Sequence, residues 1–265
     1  MDLPSVCIIK PERESKGGVN MLEKSFPLAC QYPKEWVLEH SYDGLTLLCT
    51  ESLCQILDLK KGMRILDLGC GKAISSIFLA REFQVEVWAV DKEVSPSSNY
   101  QLIKEACLEN TIFPLRADAK HLPFAESFFD AILSVDAYSY FGMDERFLPY
   151  LLSFLNRSGQ IGILDGCFRE EIHFDVNLPP YLQDLYWDEE DPWYPVHSPD
   201  WWVPFMEKTG LVKVEHCEIL PETKDIWDEY IENNRHKPGE QVLIQSLKND
   251  RENLLGLFRL TARKK

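Results

Sequence analysis

The seven residues Ile65-Leu66-Asp67-Leu68-Gly69-Cys70-Gly71 decide the fold of this chain. A short apolar strand, predicted over residues 63–68, runs into a glycine-rich turn, and a helix predicted over Ile74–Phe83 follows at once. The two glycines leave room for a ligand against the backbone, and the start of the helix offers unpaired N–H groups. The block therefore predicts a strand–turn–helix unit that binds a ligand.

Strands and helices alternate on the C-terminal side of this block. Further strands are predicted at 86–90, 113–117, 129–135, 160–164, 212–219 and 254–262, and helices at 96–110, 144–155 and 199–209. Such alternation indicates an α/β fold with a parallel sheet. We expect a Rossmann-like, doubly wound sheet of about seven strands with helices on both faces.

The 265 residues are expected to form a single domain, because the predicted strands use nearly the whole chain. Residues 1–33 are expected to be loosely structured, and 43–57 have roughly helical spacing of apolar residues. We divide the chain into an N-terminal lead-in or cap (1–42), a cofactor-binding core (43–166), a lid insertion after strand five (167–200) and the C-terminal part of the sheet (201–265), with a polar insertion at 221–250.

Net charge and cysteine usage exclude several classes of partner. The formal net charge is −15, whereas nucleic acids and anionic membranes require clustered positive charge, so we expect neither nucleic acid nor stable membrane association. The scattered cysteines, with no C-x-x-C pair and no secretory signal, indicate a reduced, cytoplasmic protein. The histidine and cysteine spacings predict no metal site. The sequence leaves the oligomeric state open.

Carboxylates follow the predicted strands where these strands end. Asp91 comes 20 residues after Gly71, and Asp118 and Asp136 follow the next two strands. Ligands of open α/β sheets bind at the carboxyl ends of the strands, so we expect these side chains and the glycine turn to line one crevice. A carboxylate at Asp91 can accept two hydrogen bonds from a ribose diol.

The residues of the turn discriminate between nucleotide classes. The dinucleotide fingerprint G-x-G-x-x-G fails because Ile74 stands at its last position, and no G-K-[ST] follows Gly71. Asp67 adds negative charge, which suits a ligand with a sulfonium and an ammonium group better than a pyrophosphate. The residues therefore favour S-adenosylmethionine over a dinucleotide.

The same block resembles motif I of the class I S-adenosylmethionine-dependent methyltransferases. The similarity continues through Asp91, through Arg116-Ala117-Asp118-Ala119, and through Leu122-Pro123-Phe124 with Phe128-Phe129-Asp130, a run that resembles the small-molecule methyltransferase group. The resembling elements span about 43–166, and Ala73 stands where many members have a third glycine. The resemblance implies S-adenosylmethionine as cofactor.

The resemblance also implies roles for individual residues. Motif I would approach the methionine part of the cofactor, the acid that ends strand two would hold the ribose, and the Asp-Ala pair after strand three would meet adenine. The cofactor-binding residues so implied are Asp67, Gly69, Cys70, Gly71, Asp91, Lys92, Asp118, Ala119, Ser134 and Asp136.

The methyl acceptor is not identified by the sequence. The stretch 169–200 holds nine acidic residues, one arginine and several aromatic residues. Aromatic faces and carboxylates attract cations, so an amine acceptor under a lid is one hypothesis, and a solvated loop that covers the sheet is the other. Substrate-binding candidates are Tyr140, Trp187 and Trp193. Candidate general bases are Tyr42, Tyr138, Tyr140 and His173, none of which matches a recognised catalytic constellation.

Three functions stay open at this point. The favoured one is methyl transfer from S-adenosylmethionine to a small-molecule acceptor, for which the protein mainly supplies proximity and orientation. A transferase like cyclopropane-fatty-acid synthase, which modifies a lipid double bond, is the second. A module that binds S-adenosylmethionine without catalysis is the third.

Overall fold

The computed structural model describes residues 20–172, 179–183 and 196–265. The strands in these ranges are β1 Arg64–Leu68, β2 Glu86–Asp91, β3 Ile112–Arg116, β4 Phe129–Val135, β5 Leu155–Phe168, β6 Val212–Ile219 and β7 Leu255–Lys264. Within the described part of the chain they form one sheet of seven strands in the order β3-β2-β1-β4-β5-β7-β6. The Rossmann-like α/β architecture of about seven strands is therefore confirmed.

The helices alternate with the strands in the first half of the chain and cluster after β6 in the second. They are α1 Met21–Ser25, α2 Lys34–His40, α3 Thr46–Cys54, α4 Ile74–Phe83, α5 Pro96–Glu105, α6 Phe147–Ser153, α7 Pro180–Gln183, α8 Pro199–Glu207, α9 Thr223–Asn234 and α10 Gln241–Asn249. Short 3₁₀ helices span Ala29–Gln31, Tyr138–Tyr140 and Pro238–Glu240. Among the described residues, no helix has the length and apolar character needed to span a bilayer.

The sheet is mixed, so the expectation of an entirely parallel sheet is wrong for β7. Strands β1 to β5 pair in parallel, whereas β7 runs antiparallel to both β5 and β6. β7 enters between these two strands after the helices α9 and α10, and its direction opposes both. Hydrophobic periodicity reports which side chains face the core, but it carries no information about strand direction.

Side chains of β1 supply both faces of the sheet with apolar surface. Ile65 joins the hydrophobic cluster that contains Ile77 and Phe78 of α4. Leu66 points to the opposite face, where its cluster contains Leu151 of α6. These side chains are fully buried, and each contributes about 1.5–3 kcal/mol by leaving water. Because successive side chains of β1 are buried on opposite faces of the sheet, the strand is held firmly, and the glycine turn follows at its end.

The N-terminal cap is more ordered than the sequence predicts. Helix α1 lies inside the region expected to be loosely structured, and it begins with a capping box in which Asn20 and Glu23 each bond the other's backbone N–H. This N-x-x-E pattern satisfies N–H groups that a helix start leaves unpaired. The pattern is visible in the sequence and was the signal for this helix.

Two predicted helices are shorter in the structure. α5 ends at Glu105 rather than at 110, because Cys107 adopts φ 57° and the N–H of Leu108 donates to the carbonyl of Ile103. This is the Schellman arrangement, with cysteine in the place that glycine usually takes. α6 begins only at Phe147, because the side chain of Asp144 instead accepts the N–H of Arg146 in a turn.

Other boundaries move by a few residues. α3 occupies only the middle of the predicted 43–57 helix, and α8 ends two residues before the predicted 209. β5 is longer than predicted, since it runs from Leu155 to Phe168. Cys167 and Phe168, assigned by the sequence to the lid insertion, pair with β7 and belong to the sheet.

Candidate functional site

The candidate site lies where the strand order changes direction, between β1 and β4. Open α/β sheets bind ligands outside the carboxyl ends of the strands at such a point. Gly69 follows β1 there, and Asp136 follows β4. The two segments touch, because a Cβ on Gly69 would lie 2.4 Å from the Cβ of Ala137.

Three residues with left-handed backbone conformation shape the glycine turn. Gly69 has φ 81°, Gly71 has φ 52° and Ala73, immediately before α4, has φ 61°. The N–H groups of Gly69 and Cys70 donate to the carbonyl of Val90 at 2.8 and 3.1 Å, which ties the turn to β2. Alanine in this conformation costs about 1 kcal/mol or more, so Ala73 holds strained backbone where many resembling proteins have glycine.

The protein itself fills the space beside both glycines. Ala137 occupies the Cβ direction of Gly69, and the ring of Tyr42 lies 3.3 Å from the position of a Cβ on Gly71. The sequence assigned this space to a ligand. Close approach of the segment after β4 and of the N-terminal cap therefore gives a second reason for glycine at these positions.

Asp67 lies behind the turn rather than in front of it. The residue is buried, and its Oδ2 accepts hydrogen bonds of 2.6 Å from the hydroxyls of Ser75 and Ser76 in α4. Burial raises the pKa of this carboxyl to about 6, although the two hydroxyls lower it. Asp67 thus anchors the first turn of α4.

Asp91 organises the turn through backbone N–H groups. Its Oδ2 accepts the N–H of Gly71 at 2.9 Å, and its Oδ1 accepts those of Glu93 and Val94 at 2.8 and 2.9 Å. A carboxylate offers about four acceptor positions. A ribose diol therefore meets one open position on Asp91, whereas the sequence suggested two hydrogen bonds.

The loop after β3 lies beside Asp91. The N–H of Ala117 donates to the carbonyl of Asp91 at 3.1 Å. Asp118 faces Lys92 at 3.4 Å, and the N–H of Lys120 together with this ammonium lowers the pKa of the partly exposed Asp118 carboxyl. Ala119 is buried. The polar pair Asp118–Lys92 and the small apolar Ala119 thus lie at the same end of the sheet as Asp91.

Ser134 and Cys70 face the protein interior. The hydroxyl of the buried Ser134 donates to the carbonyl of Leu68 at 2.9 Å. The Cys70 side chain is buried, and burial raises the pKa of its thiol. Both side chains therefore pack inside the protein, at the end of β4 and in the turn after β1.

Asp136 stands at the end of β4 in a left-handed conformation, with φ 51°. Its N–H donates to the carbonyl of Leu164 at 2.7 Å, so the next residue of β5, Asp165, is its neighbour. Asp136 is exposed, yet loss of hydration and the charges of Asp165, Asp43 and Glu240 raise the pKa of its carboxyl well above the usual range. Asp136 is thus open to solvent but surrounded by protein, as expected for a residue at the bottom of a cleft.

The structure adds three acids that the sequence reasoning missed. These are Asp43, Asp165 and Glu240, whose charges raise the pKa of the Asp136 carboxyl. A carboxylate within the apolar run of β5 was a usable signal for Asp165. For Asp43 in the cap and Glu240 in the polar insertion no local pattern existed, because only the tertiary fold brings these segments to the cleft.

The catalytic candidates differ in their exposure to solvent. Tyr42 is exposed and lies over Gly71, and Tyr140 is exposed next to the segment after β4. Tyr138 is fully buried against Phe147 and Trp202, and its hydroxyl has no partner among the described residues. Because that ring belongs to the apolar core, Tyr138 does not fit the role of a base near the crevice. His173, Trp187 and Trp193 lie outside the described residues.

Comparison with known proteins agrees with this geometry. Residues 65–159 match the family described as "Methyltransferase domain". Methyltransferase GfsG of Streptomyces halstedii is 28% identical over 118 residues, which are 44% of this chain and 42% of that protein. Glycine/sarcosine/dimethylglycine N-methyltransferase of Actinopolyspora halophila is 25% identical over 169 residues, or 62% of this chain and 29% of that protein. The matches thus span less than half the length of these relatives.

A solved structure extends the likeness in fold to nearly the whole chain. Geranyl diphosphate C-methyltransferase from Streptomyces coelicolor A3(2), determined with Mg²⁺, geranyl diphosphate and S-adenosyl-L-homocysteine, superposes with a TM-score of 0.67 at 14% identity. The superposition covers 97% of this chain and 91% of that one. Residues 65–159 thus match the methyltransferase domain family, and the superposition shows that nearly the whole chain shares the fold of this solved structure.

Proposed function

We propose that the protein transfers a methyl group from S-adenosylmethionine to a small-molecule acceptor. The observation that carries the proposal is the glycine turn, closed by Asp91 at the end of β2 and backed by the buried Asp67. Fold alone would not suffice, since one scaffold hosts many reactions.

The residues present fit the cofactor. Asp91 keeps an open acceptor position for a ribose hydroxyl, Asp118 offers a carboxylate on the adenine side, and Ala119 gives a small apolar contact. The carboxylates of Asp67 and Asp136 favour a sulfonium and an ammonium over a pyrophosphate. When bound, the cofactor supplies an electrophilic methyl group.

The chain itself supplies orientation and exclusion of water. The turn fixes one wall of the cleft, and the ring of Tyr42 covers Gly71. The segment after β4, held by Ser139 to Asp165 at 2.8 Å, forms the opposite wall. Holding two reactants in line in such a site contributes by proximity rather than by covalent catalysis.

The nature of the acceptor is part of the proposal. The named relatives differ here, because one is an N-methyltransferase of glycine, sarcosine and dimethylglycine and one a C-methyltransferase of geranyl diphosphate. The lipid-modifying and the non-catalytic alternatives have no residue in the described site that favours them. The net charge of −15 supports a small-molecule acceptor rather than nucleic acid or an anionic membrane.

Two measurements test this function. Calorimetric titration should show saturable binding of S-adenosylmethionine and no binding of NAD, and the reverse result would contradict the proposal. A panel of amines, alcohols, thiols and activated carbon acids should then contain compounds that cause release of S-adenosylhomocysteine. Binding without release by any acceptor would favour the non-catalytic module.

A further inference from the structure

Asn99 is a polar residue in a position that otherwise belongs to the hydrophobic core. It lies in the first turn of α5, and only 3% of its surface is exposed. Leu102 and Ile103, three and four residues further along the same face of the helix, are members of the core cluster. An amide in such a place costs free energy unless it is hydrogen-bonded. The bonds that Asn99 makes therefore indicate why the core accepts it.

The amide of Asn99 binds the glycine turn. Its Nδ2 donates to the carbonyl of Gly71 at 2.9 Å and lies 3.9 Å from the Sγ of Cys70. The N–H of the same Gly71 donates to Oδ2 of Asp91 at 2.9 Å. Both backbone groups of Gly71 are thus held by side chains, one at the end of β2 and one in α5. Because glycine has the widest conformational freedom of any residue, these two bonds fix the part of the turn that is most able to move.

The N–H groups of the turn show where the protein leaves a donor for a ligand. In the turn 69–73, every N–H group but one donates to an acceptor of the protein. The exception, among the described residues, is the N–H of Lys72. A trans peptide directs its C=O and its N–H to opposite sides. The bond from Asn99 to the carbonyl of Gly71 therefore also sets the direction of this N–H.

We propose that Asn99 is a positioning residue for S-adenosylmethionine, which holds the Gly71–Lys72 peptide and, through Gly71, the carboxylate of Asp91 in the arrangement that the cofactor meets. The inference rests on the proposed methyl transfer and adds to its site a residue that the resemblance does not imply. Asn99 acts through the turn and not by contact. A turn that already has its bound conformation loses less freedom when the ligand binds, and this raises affinity.

Asn99→Leu removes the donor and keeps a side chain of similar size. The carbonyl of Gly71 then loses its amide partner and the turn gains freedom, so the affinity for S-adenosylhomocysteine should fall about five- to tenfold. Asn156→Leu is the matched control, because the Nδ2 of Asn156 donates to Oδ1 of Asp130 at 2.7 Å, near the amino end of β4. The control should stay within about twofold of the unaltered chain. Calorimetric titration measures the affinities, and urea unfolding identifies the variants that are folded.

A double-mutant cycle with Asp91→Asn tests whether the two side chains act on the same peptide. The affinity for S-adenosylhomocysteine is measured for the unaltered chain, both single variants and the double variant. Because both hydrogen bonds end on Gly71, the loss in the double variant should be smaller than the product of the two single losses, by about threefold or more. A merely structural role of Asn99 predicts that the two losses multiply.

Asn99→Asp gives a second readout, which also serves if the leucine variant does not fold. The new carboxyl can donate to the carbonyl of Gly71 only while it is protonated. Burial and the nearby carboxylate of Asp91 raise the pKa of such a group. The affinity of this variant, relative to the unaltered chain, should therefore recover as the pH is lowered from about 8 to about 5. Asn156→Asp should show no such recovery.

The possible outcomes separate the two proposals. Equal affinity of the unaltered chain and Asn99→Leu, losses that multiply in the cycle, or an affinity of Asn99→Asp that does not recover at low pH would each overturn the role of Asn99, while methyl transfer stands. Failure of S-adenosylhomocysteine to bind the unaltered chain contradicts the proposed function and, with it, this inference.

Discussion

The Cβ of Ala137 lies 2.4 Å from the position that a Cβ would take on Gly69. This close approach packs the turn after β1 against the segment after β4. Two non-bonded carbon atoms do not tolerate such a distance, so this packing requires that residue 69 has no side chain.

Gly69→Ala should therefore destabilise the protein more than an ordinary loss of glycine. Gly62 is the matched control, because it has φ 80° and nothing within 4 Å of its Cβ position. Gly62→Ala pays only the left-handed backbone strain, about 1–2 kcal/mol. Gly69→Ala adds overpacking of about 1–3 kcal/mol. Urea unfolding measures both, and equal losses would refute the packing role of Ala137. Adding Ala137→Gly should recover part of the loss.

Asp67 should make stability depend on pH in a defined window. The pKa of its carboxyl is raised from 3.8 to about 6 in the folded protein, so the protonated form stabilises the fold. That contribution is complete below about pH 4 and is lost as the pH rises through about 6. The loss amounts to roughly 2–3 kcal/mol.

Asp67→Asn isolates this effect, since asparagine stays neutral and its Oδ1 can still accept from Ser75 and Ser76. Relative to the unaltered chain, the variant should gain roughly 2–3 kcal/mol between about pH 4 and about pH 7. Unfolding curves at several pH values provide the test. A difference between the two proteins that does not change with pH would show that Asp67 does not titrate in this range.

Asp91→Asn should damage both the turn and cofactor binding. The amide nitrogen would face the N–H of Gly71 or displace the acceptor used by Glu93 and Val94, at a cost of about 1–3 kcal/mol. S-adenosylhomocysteine affinity should fall about tenfold or more. Asp118→Asn changes a partly exposed carboxylate with one backbone bond and one ion pair to Lys92, and it should cost less on both counts. Calorimetry and urea unfolding compare the two variants, and similar losses would contradict the special place of Asp91.

Tyr42 should act as a cover and not as a base. Loss of hydration and the charge of Asp91 raise the pKa of its hydroxyl, so it keeps its proton at neutral pH. Tyr42→Phe should leave kcat within about twofold, whereas Tyr42→Ala should raise the KM for S-adenosylmethionine because Gly71 is uncovered. A large fall in kcat for the phenylalanine variant would restore Tyr42 as a base.

Much of the central fold could be predicted from the sequence because its signals are local. The bounds of α4, β4 and β6 agree with the structure to the residue, since apolar periodicity and turn residues mark them. The direction of β7 and the left-handed end of α5 at Cys107 could not be predicted, because pairing direction is a tertiary property and cysteine is no usual helix terminator.

The candidate site likewise contains residues that a local motif predicts and residues that only the fold brings in. Gly69, Gly71 and Asp91 form a motif with fixed spacing along the chain, and the structure brings them together. The charges of Asp43 and Glu240 act on the carboxyl of Asp136 only because the cap and the C-terminal helices pack at long range, for which the sequence has no local code. The side of the cleft that would select the acceptor was therefore the part that only the fold revealed.

The central claim is transfer of the cofactor's methyl group to a small-molecule acceptor, and an isotopic label follows that atom directly. The protein is incubated with methyl-labelled S-adenosylmethionine and a panel of small amines, alcohols, thiols and activated carbon acids, and the products are analysed by mass spectrometry. The account predicts labelled methyl on at least one acceptor, with one S-adenosylhomocysteine formed for each transfer. Label that stays on S-adenosylmethionine with every acceptor would contradict it.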